Sequence, residues 1–149
     1  MPAPGAFGGT QQAAPEPARD RDFIDLLNAY RGRGGLAAQP EVLALFARRN
    51  SKQVARLASW IAKRELICFA WQAQAWLPLF QFNPIDMTPH PQLRPVLAEL
   101  ACVYDPWQMA QWFARPNPWL GQRTPVDILG PDMPAVIQAA TADRFFASE

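Results

Sequence analysis

The chain has 149 residues, half of them hydrophobic and 18% charged, which excludes a wholly disordered polypeptide and is long enough to bury roughly 70% of its unfolded surface. No apolar run approaches the roughly 18 residues of a membrane span, and the start, Met1-Pro2-Ala3-Pro4-Gly5, has neither the basic nor the apolar region of a signal peptide, so a cytoplasmic location is expected. Two cysteines, Cys68 and Cys102, are too few for a disulfide framework or a zinc site, and the net charge of +1 conceals a basic middle and an acidic end.

Residues 1–20 are rich in Ala, Pro, Gly and Gln, show little apolar periodicity and read as a disordered tail. Residues 22–30 place Phe23, Leu26, Leu27 and Tyr30 at helical spacing behind Asp22 as N-cap. Arg31-Gly32-Arg33-Gly34-Gly35 reads as a flexible linker, because glycine costs backbone entropy inside an element. Pro40 suits the first turn of a helix carrying Val42, Leu45 and Phe46, and Asn50-Ser51 breaks it and supplies the next N-cap. Across residues 51–64, Val54, Leu57, Ala58 and Ile61 fall on one sector and Lys52, Arg56, Ser59, Trp60 and Lys63 on the other. Two short helices around a tight break form a helix-turn-helix pattern.

Residues 66–71 and 76–82 are rich in β-formers and are joined by Gln72-Ala73-Gln74-Ala75, which predicts a hairpin. Pro78 cannot donate to a ladder and is expected at an edge or a bulge. A proline-rich connection precedes a helix marked by Leu93, Val96, Leu97 and Leu100. Asp105-Pro106 starts another, carrying Trp107, Met109, Ala110, Trp112 and Phe113 and ending near Ala114. Asn117-Pro118 can cap one further turn, with Gly121 at positive φ after it. Thr124-Pro125-Val126-Asp127 reads as a capping box stopped by Gly130, and Asp132 caps a last helix with Val136, Ile137 and Ala140. The expected fold is mainly α: a helix-turn-helix with a wing-like β-hairpin over residues 21–90, then a small C-terminal helical bundle over residues 91–149.

Catalytic patterns are not recognisable. The single histidine, His90, sits between two prolines, and Asp105, Asp127 and Asp132 are each explained by capping. No phosphate loop, nucleophile elbow or metal-ligand spacing occurs, so neither cofactor nor metal is expected. Residues 41–82 hold six basic and two acidic groups, and residues 83–149 four basic and seven acidic, a separation that suggests two different partners. Arg48, Arg49, Lys52, Arg56 and Lys63 are the candidates for DNA phosphates, against the plainer reading of a solvated helix face. The aromatic block at residues 107–129 either fills a small core or offers a surface to a protein partner.

That block carries a resemblance. Phe113, Pro116-Asn117-Pro118, Leu120-Gly121, Arg123-Thr124-Pro125, Asp127 and Leu129 stand in an order similar to the signature "pNp-x-L-g-g-r-t-P-l-d-L-L" of the toxin-binding domain of Xre/MbcA/ParS-type antitoxins. Leu77-Pro78-Leu79-Phe80-Gln81-Phe82 also resembles the "fPaFQF" segment of that family, and the similarity spans roughly residues 40–140. It implies a type II antitoxin that does no chemistry itself, occludes a RES-domain NAD-degrading toxin with its C-terminal part and represses its own promoter through the helix-turn-helix. The candidate toxin-binding residues are Pro116, Asn117, Pro118, Leu120, Gly121, Arg123, Pro125 and Leu129 of that signature together with Trp112 and Trp119 of the aromatic block, and Trp112, Trp119 and Leu120 are the expected anchors because tight binding needs a buried anchor. Expected partners are the toxin, operator DNA and a second copy of the chain, with no membrane. An orphan DNA-binding regulator or an interaction adaptor would keep the same fold without a toxin, and the neighbouring gene separates these readings.

Overall fold

A computed structural model describes residues 16–147. The chain forms α1 (Glu16–Tyr30), β1 (Leu36–Ala38), α2 (Gln39–Arg49), α3 (Leu57–Ala62), β2 (Phe69–Trp71), β3 (Gln74–Pro78), α4 (Leu93–Leu100), α5 (Pro106–Ala114), α6 (Pro125–Ile128) and α7 (Met133–Ala147). The fold is mostly helical with one small antiparallel sheet, as the sequence predicts, and no described helix is long and apolar enough to cross a membrane.

The N-terminal helix is longer than its apolar spacing indicates. It starts at Glu16, which leaves Asp22 inside it and confines any tail to residues outside those described. Tertiary partners account for the extension: Arg19 lies 4.2 Å over the Trp107 ring, and Asp20 accepts a 2.9 Å hydrogen bond from the Trp71 indole. Residues 31–35 are not a slack linker. A 3₁₀ turn at Arg31–Arg33 ends in Gly34 at φ 91°, the Gly35 amide closes back on the Tyr30 carbonyl at 2.9 Å, and Arg33 bridges to Asp127.

The sheet order is β1-β3-β2, so β3 is central rather than an edge. Its hairpin to β2 turns through Gln72 and Ala73 alone, both at positive φ (49° and 60°), the geometry of a tight two-residue loop. Gln74 and Ala75, expected in the link, are the first residues of β3. Pro78 is tolerated in a central strand because it is the last residue. It opposes Leu36, and the next residue, Leu79, bonds the Gly35 carbonyl at 2.9 Å. Pairs alternate in an antiparallel ladder, so the missing N–H of Pro78 falls on the side away from β1. There the fully buried Gln81 amide takes over: its oxygen accepts from the Ile67 amide, and its nitrogen donates to the Ile67 and Pro78 carbonyls at 3.0 Å.

Two hydrophobic cores meet at this sheet. The smaller gathers Val42, Phe46, Leu57, Leu66, Leu77 and Phe82. The larger joins Leu93, Val96, Leu97 and Leu100 of α4 to Met109 and Phe113 of α5, Val136 and Ala140 of α7, and Phe23, Leu26 and Tyr30 of α1. The buried Tyr30 hydroxyl donates to the Ala110 carbonyl at 2.6 Å, and burial pushes its pKa far up. The N-terminal helix therefore belongs to the core of the C-terminal half, and the expected division at residue 90 does not separate the two cores.

Candidate functional site

The turn between α5 and α6 is built from local chemistry. The Asn117 side chain accepts from the Trp119 amide at 2.9 Å and so caps the 3₁₀ turn Pro118–Leu120, whose first position suits proline. Gly121 ends that turn at φ 64°, the left-handed conformation the sequence predicts, and no atom lies where a Cβ would stand. The Asn117 amide then bonds the Arg123 carbonyl at 3.0 Å, closing residues 117–123 into one loop that delivers the chain to Pro125 at the start of α6.

One carboxylate locks this loop to the last helix. Asp143 of α7 accepts from the Trp112 indole at 2.7 Å, the Asn117 side-chain amide at 3.0 Å and the Trp119 indole at 2.9 Å. Desolvation, and then the negative charge of Asp143, raise the pKa of Tyr104. The Trp119 ring also stacks on Phe146 at 5.8 Å, and Phe145 adjoins Phe146 edge-on. Trp119, Phe145 and Phe146 are 53%, 63% and 55% exposed and form an aromatic edge at the surface. The sequence gives no sign of Asp143 or Phe146: a lone acid and a terminal aromatic match no motif, and only the packing of α7 brings them to Trp119.

The ten residues marked for a toxin therefore divide. Trp112, Asn117, Leu120 and Pro125 are buried and build the loop, so of the anchors Trp112, Trp119 and Leu120 only Trp119 is open to a partner. Pro116, Pro118, Gly121 and Arg123 are exposed around it, and Leu129 is half-buried.

Thr124 caps differently from the expectation. Its hydroxyl donates to Asp127 at 2.8 Å and accepts no backbone N–H, while Arg33 holds the same carboxylate from the far side. The Thr124 hydroxyl first, and then Arg33, lower the pKa of Asp127 below the ordinary carboxylate value. A lowered folded pKa contributes stability above the unfolded value that is lost as pH falls through the folded one. Because the pair is half-exposed, Thr124→Ala is expected to cost well under the roughly 1 kcal/mol of a true N-cap. The deficit should shrink as pH falls below about 4. Thermal melts of both proteins from neutral to acid pH check this, and a gap that stays constant would show that Asp127 plays no part.

The basic residues are all exposed, but they do not stand on one continuous recognition helix. After Asn50, whose side chain is taken by the Asp86 carbonyl at 3.0 Å, the chain forms a 3₁₀ segment, Ser51–Arg56, and only then the six-residue α3. Neither Asn50 nor Ser51 gives a side-chain cap, and the uncapped start takes the tighter helix. Arg48 and Arg49 end α2, Lys52 and Arg56 lie on the 3₁₀ segment, and Lys63 follows α3. Arg49 donates to the Pro84 carbonyl at 2.9 Å, which ties one of the five to the loop after the sheet. Trp60 is half-buried against Phe46, with ring centroids 6.0 Å apart.

Among the described residues no His, Cys, Asp or Glu side chains gather as a metal-binding group. No family model, curated protein or solved structure matches the chain.

Proposed function

We propose that the chain is an antitoxin that holds a RES-domain toxin through the aromatic edge of its C-terminal half, with its basic middle contacting operator DNA. The observation that supports this best is Trp119. It is a large ring left more than half exposed, yet its indole is fixed to Asp143 and its face lies on Phe146. A rigid exposed aromatic is the kind of side chain that dominates protein interfaces, since little conformational freedom is left to lose on binding. The loop that presents it is the segment whose sequence resembles the antitoxin signature. The cations at Arg48, Lys52, Arg56 and Lys63, free of ion pairs among the described residues, support the DNA contact through phosphate neutralisation. In this reading the chain acts by binding alone.

Deleting the chain from Ala140 onward would not test the surface cleanly, because Ala140 is wholly buried in the larger core and Asp143 holds the loop. The pair Trp119→Ala and Phe146→Ala removes the exposed rings instead. Co-expressed with a RES-domain toxin that the parent chain neutralises, the double variant is expected to lose about 30-fold or more in affinity and to leave growth and NAD⁺ unprotected. Its melting temperature should stay near that of the parent. Full protection by the double variant would refute the toxin-binding role of this edge.

A further inference from the structure

A cavity of about 310 Å³ opens between the 3₁₀ segment Ser51–Arg56, the loop at residues 88–91 and the start of α4. Its wall includes Gln53, Arg56, Trp60, Glu65, His90 and Arg94. The irregular helix creates this arrangement. Side chains three apart eclipse on a 3₁₀ helix, so Gln53 and Arg56 stand one directly above the other, closer in line than the roughly 60° offset they would have on the regular amphipathic helix the sequence predicts. Trp60 joins them from α3, its core side against Phe46 and the rest of the ring bounding the cavity.

Two features mark the cavity as a site rather than a gap. The Gln53 side-chain oxygen is buried and has no hydrogen-bond partner, an arrangement that costs free energy unless something supplies a donor. The charges are also unequal. Arg94 is matched by Glu65 at 3.1 Å, whereas Arg56 makes no ion pair among the described residues. An aromatic face, an unpaired acceptor and an uncompensated guanidinium around one cavity are the groups that recognise an unstacked base and its phosphate. The volume also lies within the range of small-molecule sites.

We propose that this cavity binds a nucleotide. The base lies against Trp60, the Gln53 side chain turns to bring its buried oxygen to an N–H on the base edge, and the phosphate meets Arg56. The proposal is independent of toxin binding, shares Arg56 with the operator contact, and differs from duplex binding through phosphates, because a base within a duplex is stacked and paired and cannot enter. The nucleotide can come from two sources, a free mononucleotide or an unpaired position in a strand.

The experiment titrates the full-length protein with AMP, with a short single-stranded oligodeoxyadenylate, and with that oligonucleotide annealed to its complement. Calorimetry gives the affinity and tryptophan fluorescence the stacking. Saturable binding of AMP or of the single strand is expected, with a dissociation constant of about 0.1 mM or tighter. Gln53→Leu and Arg56→Ala should each weaken it about tenfold. Binding of AMP identifies a free nucleotide as sufficient, and binding of the strand alone identifies flanking phosphates as required; both sustain the proposal. Absence of saturation up to about 10 mM AMP and by the strand would overturn it. So would binding to the duplex alone, or an affinity unchanged in Gln53→Leu, since Arg56→Ala would weaken a purely phosphate-directed contact as well. The toxin assay on Trp119 and Phe146 reads a different surface, so failure of either proposal leaves the other standing.

Discussion

Gln81→Leu is expected to cost about 4 kcal/mol, a large part of the stability of a chain this size. The side chain is fully buried and makes three hydrogen bonds, accepting from the Ile67 amide and donating to the Ile67 and Pro78 carbonyls. Leucine fills a similar volume but pairs with none of these groups, and each buried polar group left without a partner costs about 1–3 kcal/mol. Gln81→Glu should be almost as damaging, since a carboxylate cannot donate to either carbonyl. Urea unfolding of both variants checks this. A loss below about 1 kcal/mol would show that water reaches Ile67 and Pro78 once the amide is gone.

Asp143→Ala should lower stability by about 3 kcal/mol and the melting temperature by roughly 6–12 °C. The carboxylate receives three N–H groups, and two of its donors, Trp112 and Asn117, belong to buried residues. Asp143→Asn should recover part of the loss, because its remaining oxygen can still accept while its new amino group opposes the donors. Either variant should also release the Trp119 indole and shift the tryptophan emission. A melt lowered by less than about 2 °C would mean that the three bonds are replaced by solvent at no cost. If toxin binding then fell while the melt held, the same aspartate would be acting as a positioning residue for the aromatic edge.

What the sequence reveals here is the chemistry that acts over a few residues. Asp105 caps α5, Asp132 caps α7 and Asn117 caps its turn because each accepts a nearby backbone N–H, and Leu93, Val96, Leu97 and Leu100 of α4 are all buried as their spacing predicts. The features that escape depend on distant partners. Strand β1 is Leu36-Ala37-Ala38, which has no β-branched or aromatic residue and pairs only because β3 arrives some forty residues later. The first turns of α1 are held by Trp71 and Trp107. Hydrophobic periodicity gives residues 51–56 the wrong helix type, because Val54 lies on the core side in either geometry. Asp143 at the candidate site is invisible for the same reason, since its three donors stand 24 to 31 residues upstream.

The seat of α1 has a consequence for how the protein is made. Tyr30 finds its hydrogen-bond acceptor 80 residues further on, at Ala110, and Phe23 packs on Trp71 and Phe69. A ribosome adding about 5–20 residues per second needs roughly 4–16 s to supply that distance. During that interval the helix has emerged with Phe23, Leu26 and Tyr30 bare, and nothing yet synthesised can cover all three. The smaller core, closed by Phe82 and Met87, can assemble while α1 is still waiting. The earliest described helix is thus among the last to be buried, and its apolar face is a stretch of nascent polypeptide in need of a chaperone.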